Sequence, residues 1–388
     1  MKALVIAKGE LWLYDGAAAP RQIVSAFARE VIERDERSRR TTSWKHAPRE
    51  QQSGIIPSSS LWGTQQTAAM APPKFLQACF GANEQTIYYV LKVGEATGLF
   101  RQHLDEDREV RLFHRTGLSV DGLAYNPQDQ RLVLGMRMHD GTAQLEVYDD
   151  DGNLKGAITG GDSQDGQPTL VPGSASAIVF QSTGVARHPQ HGYVVAAAHA
   201  TVCQLDYRSG QLQTLLEDKQ FDFIAPKMGS DGTLYAIRRP IEKPPTERAS
   251  NALLDTIMMP IRLIKAVFGF LNIFSMLYGK EPLRSAGGPR TPELDQDLGR
   301  LWLHGRMIEL NKVRTDAGHA GHLVPASWEL VRRPPGRQLQ IVANHVAGFD
   351  VLPNGQLLYT NGYELTHWHD GQKTSLGRQE LIESVVAR

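Results

Sequence analysis

The segment Gly122-Leu-Ala-Tyr-Asn-Pro-Gln-Asp-Gln-Arg-Leu-Val-Leu134 consists of two short apolar runs joined by a polar turn that contains a proline. The same order recurs at Gly184-Val-Ala-Arg-His-Pro-Gln-His-Gly-Tyr-Val-Val195, at Ile224-Ala-Pro-Lys-Met-Gly-Ser-Asp-Gly-Thr-Leu-Tyr-Ala236 and at Gly348-Phe-Asp-Val-Leu-Pro-Asn-Gly-Gln-Leu-Leu-Tyr359. A weaker copy spans residues 76–89. Asn-Gly and Asp-Gly pairs favour tight reversals between twisted strands, because these residues adopt a positive φ at little cost. Each copy is therefore predicted to be a β-hairpin.

A third and a fourth apolar strand, separated by a glycine turn, follow three of these hairpins. The third strands are predicted at 144–148, 202–207 and 364–368, and the fourth strands at 154–158, 212–216 and 373–376. Units of four antiparallel strands that repeat every 40 to 60 residues or so are typical of propeller blades with loop insertions. The pattern predicts an all-β fold, a β-propeller of four-stranded antiparallel blades.

The two ends of the chain are predicted to share one blade. Residues 381–387 resemble a lone innermost strand, and residues 2–7, 10–14 and 21–24 supply the three strands that this blade lacks. Such closure ties the termini together and removes open sheet edges. The other blades are predicted at 75–115, 118–158, 178–217, 221–333 and 341–376, which gives six blades in all.

The domain limits follow from this count. A single propeller domain is predicted over 1–388, with an irregular loop at 50–74 and a helical insertion at 240–300 within blade five. Residues 29–52 carry charges of both signs and are predicted to form a long loop. The alternative of seven blades remains open, since residues 29–44 offer room for an irregular blade.

At the turn Pro226-Lys-Met-Gly-Ser-Asp-Gly-Thr-Leu-Tyr235 the chain resembles the TolB-like six-bladed propellers, which share its proline, its Asp-Gly pair and its Leu-Tyr pair. The chain is also similar to propellers of the senescence-marker lactonase and strictosidine synthase type. Short motifs of this kind, spread over most of the chain, imply an architecture at superfamily level and specify no activity.

The composition excludes several classes of protein. The 42 Lys and Arg balance the 42 Asp and Glu, so no overall positive field attracts nucleic acid, and no nucleic-acid partner is predicted. The two cysteines, Cys79 and Cys203, fit neither a disulfide framework nor a cysteine-rich zinc site. The apolar run at residues 3–7 is shorter than a signal peptide requires. We expect a cytoplasmic protein, with peripheral membrane association as the alternative.

The insertion at 240–300 is expected to carry an unusually apolar helix. Ser250 is a suitable N-cap, and polar residues between 257 and 278 recur every three or four positions as a narrow stripe. A membrane span is disfavoured, because one crossing would separate strands of the same blade. The helix can pack on the propeller, dock a protein partner or contact a membrane surface through 251–279. The predicted partner-binding residues are Ile261, Ile264, Phe268, Leu271, Phe274 and Leu277.

The central channel is where a propeller would hold catalytic or metal-binding groups, because the innermost strands converge there. The candidate channel residues are Asp121, Asp222 and Asp350. In calcium-dependent lactonase-type relatives an asparagine precedes the glycine that begins the innermost strand. The matching positions here are Asp121, Thr183, Phe223 and Ala347, of which Asp121 alone is a strong oxygen ligand, so no metal is predicted.

Other chemical motifs are weak. The pairs His319/His322 and His367/His369 have spacings that permit zinc, but no further ligand lies at a supporting distance in the sequence. The sequence contains no nucleophile elbow, phosphate-binding loop or dinucleotide-binding glycine motif. No catalytic residue and no cofactor is predicted.

Three functions remain open. The preferred interpretation is a noncatalytic scaffold or binding module that engages a protein partner through its channel face and its helical insertion, and that is monomeric apart from this partner. The alternative is a hydrolase or lyase of the lactonase or strictosidine synthase type, with a degenerate channel site around Asp121 and Asp350. A peripheral membrane-associated propeller is the third.

Overall fold

The computed structural model describes residues 1–16, 18–42, 71–187, 194–241, 300–313, 318–319 and 321–388. Within these ranges the chain forms 27 β-strands and two helices. The N-terminal elements are β1 (Lys2–Ala7), β2 (Glu10–Asp15), β3 (Arg21–Ile23) and the helix α1 (Ala26–Thr42). Tight turns join the strands, as at Lys8 and Gly9, where both residues have a positive φ, 53° and 74°.

Blades two and three consist of consecutive antiparallel strands. The strands of blade two are β4 (Lys74–Phe80), β5 (Thr86–Val93), β6 (Ala96–His103) and β7 (Arg108–Thr116). Those of blade three are β8 (Ser119–Asn126), β9 (Arg131–Arg137), β10 (Ala143–Asp149) and β11 (Leu154–Ala157). The alternating apolar residues of these strands pack between neighbouring blades and form the core.

Blade four contains a fifth short strand. Its strands are β12 (Ser163–Leu170), β13 (Ala177–Arg187), β14 (Val194–Ala197), β15 (Thr201–Asp206) and β16 (Gln211–Leu216). The strand β13 is long enough to pair with β15 along its first half and with β14 at its end. A single parallel bridge between residues 143 and 164 links this sheet to blade three.

Blades five and six complete the set. Blade five begins with β17 (Phe221–Met228) and β18 (Leu234–Pro240), and a separate hairpin follows, formed by β19 (Arg300–Leu303) and β20 (Arg306–Glu309). The helical turn α2 (Leu310–Val313) precedes its last two strands, β21 (Glu329–Arg333) and β22 (Gln340–Ala343). Blade six consists of β23 (Gly348–Val351), β24 (Leu357–Thr360), β25 (Glu364–His369) and β26 (Gln372–Arg378).

The last strand, β27 (Ile382–Ala387), closes the ring. It pairs with β1, so that blade one has the strand order β27, β1, β2, β3, as predicted. The innermost strands contact one another in the cyclic order β27, β4, β8, β12, β17, β23 and back to β27. The predicted all-β propeller of four-stranded antiparallel blades is confirmed. Six such blades lie within the described residues, and the number of blades in the whole chain stays a prediction.

The prediction for the start of blade four was wrong. Residues 163–170, which the predicted blades at 118–158 and 178–217 leave out, form its innermost strand, and the Gly184–Val195 segment does not begin the blade. The innermost strand is polar, Ser-Gln-Asp-Gly-Gln-Pro-Thr-Leu, and a register shift after Gly166 interrupts its pairing. Because it lacks an apolar alternation, the sequence pattern did not reveal it.

The prediction of a loop at 29–52 was also wrong for residues 29–42, the part of it that the structure describes. Residues 26–42 form α1, so the irregular seventh blade considered at 29–44 is excluded there. Charges of opposite sign are spaced by four residues, and four ion pairs run along the helix: Glu30–Arg34, Glu33–Arg37, Asp35–Arg39 and Glu36–Arg40. The hydroxyl of Ser25 caps the N-terminus by accepting the N–H of Ala28 at 3.1 Å.

Two further boundaries changed. Within the predicted blade five (221–333), β19 and β20 are the first strands after the insertion, but they pair with each other, and β21 is the third strand, which pairs with β18. Residues 340–343, expected to begin blade six, are the outer strand of blade five. The helical part of the 240–300 insertion and residues 50–70 of the predicted 50–74 loop lie outside the described residues.

Candidate functional site

The propeller has one face on which its innermost strands begin, and we call it the entrance face. In a four-stranded antiparallel blade, the connection between the second and third strands lies at the same end as the start of the first. The segment between β18 and β21 therefore leaves and re-enters the propeller on this face. The β19–β20 hairpin and α2 belong to that segment.

The central channel is narrow. Residues from all six innermost strands line it, and its cavity volume of about 50 Å³ leaves room for a few water molecules at most. The polar side chains among the described lining residues are Gln77, Gln167, Thr169, Lys227, His304, Glu383 and Ser384. The lining residues that the structure describes do not include Asp121, Asp222 or Asp350. The three predicted channel residues lie on three different innermost strands, and each has its own set of contacts.

Asp350 joins blade six to the closing strand. Its carboxylate lies 3.2 Å from the Nζ of Lys227 and accepts the backbone N–H of Ala387 at 2.8 Å. The Asp350 side chain is 11% exposed, so this ion pair is shielded from solvent. The contact ties blade five, blade six and the C-terminal strand together. A structural role explains this carboxylate, and a binding role for it stays a prediction.

Asp121 is paired inside blade three. One carboxylate oxygen lies 3.2 Å from the guanidinium of Arg137. The other is buried and has no hydrogen-bond partner among the described residues. The carboxylate packs against Gly135 and Gly166, where a side chain would collide with it. Burial raises the pKa of Asp121, and the nearby charge of Arg137 opposes this effect.

Asp222 anchors the β19–β20 hairpin. One oxygen lies 3.3 Å from Nε of Arg239 and 3.1 Å from Nη2 of Arg306, and the other accepts the N–H of Ala200 at 2.9 Å. Arg306 also donates to the carbonyl of Pro240 at 2.6 Å. Because Arg306 lies on β20, this buried network fixes the hairpin to the start of blade five.

His304 is the residue of this site that the sequence analysis missed. It lies in the turn of the β19–β20 hairpin and lines the channel, where its Nε2 donates to the carbonyl of Ala347 at 2.8 Å. Burial lowers the pKa of His304 from 6.5 to about 4, so the imidazole is neutral at pH 7. The hairpin tip therefore inserts an uncharged donor at the channel mouth.

The lowered pKa of His304 predicts a loss of stability in mild acid. The unfolded chain binds this proton near pH 6.5 and the folded chain near pH 4, so stability falls as the pH decreases through this interval. Between pH 7 and pH 5 we expect His304 to account for about 2 kcal/mol of lost unfolding free energy. Urea unfolding of the wild type and of His304→Gln, whose amide can still donate to Ala347, measures the difference. Parallel pH profiles of the two proteins would contradict the assignment.

A larger cleft opens on the entrance face beside α2. Its volume is about 490 Å³, and its described lining residues are Leu310, Val313, Gly321, Tyr363, Arg378, Gln379, Glu380 and Leu381. The apolar floor comes from α2, from the turn between β24 and β25, and from the connection into β27. Charged groups lie at its rim. No sequence signal marked this cleft, because three distant segments build it.

The remaining candidates have ordinary surroundings. Nε2 of His367 lies 2.8 Å from the side-chain oxygen of Gln356, and His369 lies beside Asp370. Within the described ranges no group of three histidine, cysteine or acidic side chains is placed to hold a metal ion.

Both cysteines are buried, and burial raises the pKa of Cys79 to about 12, which makes its thiol unreactive. Neither described helix has the length and apolar character needed to span a bilayer.

Comparison with solved structures supports the same architecture. TolB from Acinetobacter baumannii is 11% identical with a TM-score of 0.51, over 99% of this chain and 65% of that one. A chain of the nidogen/laminin complex is 7% identical with a TM-score of 0.51, over 99% of this chain and 97% of that one. No protein-family model matches the sequence, and no curated protein sequence matches it. The chain is a β-propeller, and the TolB-like resemblance is confirmed at the level of the fold.

Proposed function

We propose that this protein is a noncatalytic β-propeller that binds a protein partner through its entrance face. The observation that carries the proposal is the cleft of about 490 Å³ beside α2, a size within the usual range of binding pockets. Its floor of Leu310, Val313, Tyr363 and Leu381 suits an apolar side chain of a partner. The exposed Arg378 at its rim supplies a charge that orients the contact.

The insertion extends the proposed surface. The described chain leaves blade five after Pro240 and resumes at Arg300, and both points belong to the connection on the entrance face. The predicted contact residues Ile261, Ile264, Phe268, Leu271, Phe274 and Leu277 lie outside the described residues, and their role is part of the proposal. A membrane surface in place of the protein partner is a separate outcome of the test below.

The channel supports binding over catalysis. A cavity of about 50 Å³ admits no substrate of ordinary size. The alternative of a lactonase-type site around Asp121 and Asp350 requires carboxylates that are available to a metal ion or a substrate, but Arg137 and Lys227 already form ion pairs with them. A propeller of the same architecture occurs in the nidogen/laminin complex, a complex of two proteins.

Three variants test the proposal. Leu310→Asp places a charge on the floor of the cleft, and Phe268→Asp places one on the insertion. The matched control is Leu212→Asp, on the outer strand of blade four, where the side chain is 64% exposed. We expect both test variants to lose a partner that the wild type and the control capture from native extract and then bind as purified proteins. Purified Phe268→Asp protein, without a partner, should have the same melting temperature as the wild type.

The outcomes separate the alternatives. Loss of binding to anionic vesicles, without loss of any protein complex, would assign the face to a membrane surface. Equal capture by all four proteins would overturn the proposal. A lower melting temperature of Phe268→Asp alone would mean that the insertion packs on the propeller.

A further inference from the structure

The segment that returns from the insertion to β21 is fastened to blade six. We call residues 321–328 the return segment. The N–H of Leu323 donates to the carbonyl of Asn361 at 3.0 Å, and the carbonyl of Trp328 accepts the N–H of Val346 at 3.0 Å. Leu323 and Val324 are completely buried in the core between blades five and six. The first hydrogen bond holds the segment against the turn between β24 and β25, and the second joins its end to the connection into β23.

The side chain of Asn361 has a fixed orientation in that turn. Its oxygen accepts the backbone N–H groups of Tyr363 at 3.0 Å and Glu364 at 2.9 Å. The amide nitrogen is therefore the atom that faces Nδ1 of His322, at 2.8 Å. Since an amide nitrogen donates and cannot accept, Nδ1 of His322 must be the acceptor. This bond exists only when His322 is neutral and carries its proton on Nε2.

Protonation of His322 at Nδ1 would turn this attractive contact into a repulsive one. A proton on Nδ1 would place two donors against each other, because the two backbone N–H groups prevent Asn361 from presenting its oxygen to His322. His322 is half-buried, so protons reach it from solvent. Burial and the neighbouring His345 lower the pKa of His322, while Glu364 opposes this effect.

We propose that His322 and Asn361 form a pH-sensitive latch, closed when His322 is neutral and opened when it is protonated. Opening releases the imidazole from blade six and loosens the return segment around it. The buried side chain of Val324 keeps the rest of the segment in place, so the change is limited to His322 and the adjacent backbone of Leu323. The latch lies on the entrance face, but the inference does not depend on the proposed partner.

The titratable groups around His322 come from four places. His345, on the connection into β23, has its ring centroid 4.2 Å from that of His322, and its Nδ1 donates to the carbonyl of Val324 at 2.9 Å. On β25, Glu364 attracts the protonated form, and Arg378 lies opposite Glu364 on β26. His319 lies three residues before His322, and its carbonyl accepts the N–H of His322 at 2.8 Å. The neighbouring His345 opposes a positive charge on His322, whereas Glu364 favours one.

Nuclear magnetic resonance of the imidazoles in the full chain tests the latch. At pH 8 we expect the His322 proton on Nε2, with a titration midpoint below 6.5. Asn361→Asp keeps the oxygen that caps the turn and converts the facing donor into an acceptor, so the pKa of His322 should rise by at least one unit. Asn354→Asp is the matched control: Asn354 also caps a hairpin turn, by accepting the N–H of Gln356 at 3.1 Å, and none of the described histidines is hydrogen-bonded to it.

Backbone hydrogen exchange provides the second measurement. Relative to the intrinsic rate, exchange at Leu323 should accelerate at least tenfold between pH 7.5 and pH 5, whereas Leu352, bonded to Gln356 in the same blade, should stay unchanged. A His322 proton on Nδ1 at pH 8, or a midpoint at or above 6.5 in the wild type, would overturn the latch. So would an unchanged His322 pKa in folded Asn361→Asp. If that variant fails to fold, the wild-type tautomer and midpoint decide.

Discussion

Ile382→Asp is expected to destabilise the propeller by about 4 kcal/mol or more, a large part of the total stability of an ordinary domain. Ile382 is completely buried where β27 pairs with β1, and it packs between blades one and six. A carboxylate there has no partner of opposite charge among the described neighbours in this cluster. Loss of β27 would also expose the edge of β1. Asp350, which pairs with Lys227, would lose its hydrogen bond to the backbone N–H of Ala387.

Two control variants separate ring closure from a general effect of the substitution. Ile382→Val removes one methylene group and should cost about 1 kcal/mol. Ile341→Asp makes the same substitution on an outer strand at a residue that is 53% exposed, and should change stability by less than about 0.5 kcal/mol. Urea unfolding of the three proteins provides the measurement. A small loss for Ile382→Asp, similar to that of Ile341→Asp, would show that the ring does not depend on β27.

The architecture was predictable because its signals are local. The turns at Pro127 and at Asn354-Gly355 join strands that are adjacent in both sequence and space, so a short pattern identifies each hairpin. The pairing of the two ends of the chain followed from counting which strands were left over. Local signals failed for the polar innermost strand β12, because a strand that lines a channel need not alternate apolar and polar residues.

The helix α1 was missed for a different reason. Its charges cancel in number, and the prediction of a loop used this balance without the four-residue spacing that places each acidic residue beside a basic one. A second contact that no local pattern shows also stabilises this helix. Glu109, from β7, accepts the N–H of Phe27 at 2.9 Å and the hydroxyl of Ser25 at 2.6 Å at the helix N-terminus.

The site was less predictable than the fold, because its contacts join distant parts of the sequence. Asp222 was identified as a carboxylate near the channel, but its partner Arg306 lies 84 residues away, beyond the insertion. His304 was hidden in a hairpin whose strands had been assigned to the blade itself. The cleft and the His322–Asn361 contact likewise depend on how the return segment packs on blade six.

Asp222→Asn is expected to destabilise the protein by about 3 kcal/mol. The substitution removes a negative charge that two buried guanidiniums share, those of Arg239 and Arg306, whose side chains are 7% and 14% exposed. Losing this carboxylate is costly because both guanidiniums stay desolvated and lose part of their charge compensation. The neutral amide keeps the shape of the carboxylate, so lost charge compensation rather than a cavity causes the effect.

Asp151→Asn is the control for this prediction, because its carboxylate is 80% exposed and lies 3.9 Å from Arg101, so its loss should cost less than about 0.5 kcal/mol. A second readout distinguishes release of the hairpin from a general loss of stability. When Asp222 no longer holds β20, the hairpin tip should become more hydrated, and the pKa of His304 should move from about 4 back towards 6.5. Unchanged stability together with an unchanged His304 titration would show that Asp222 does not anchor the hairpin at the channel mouth.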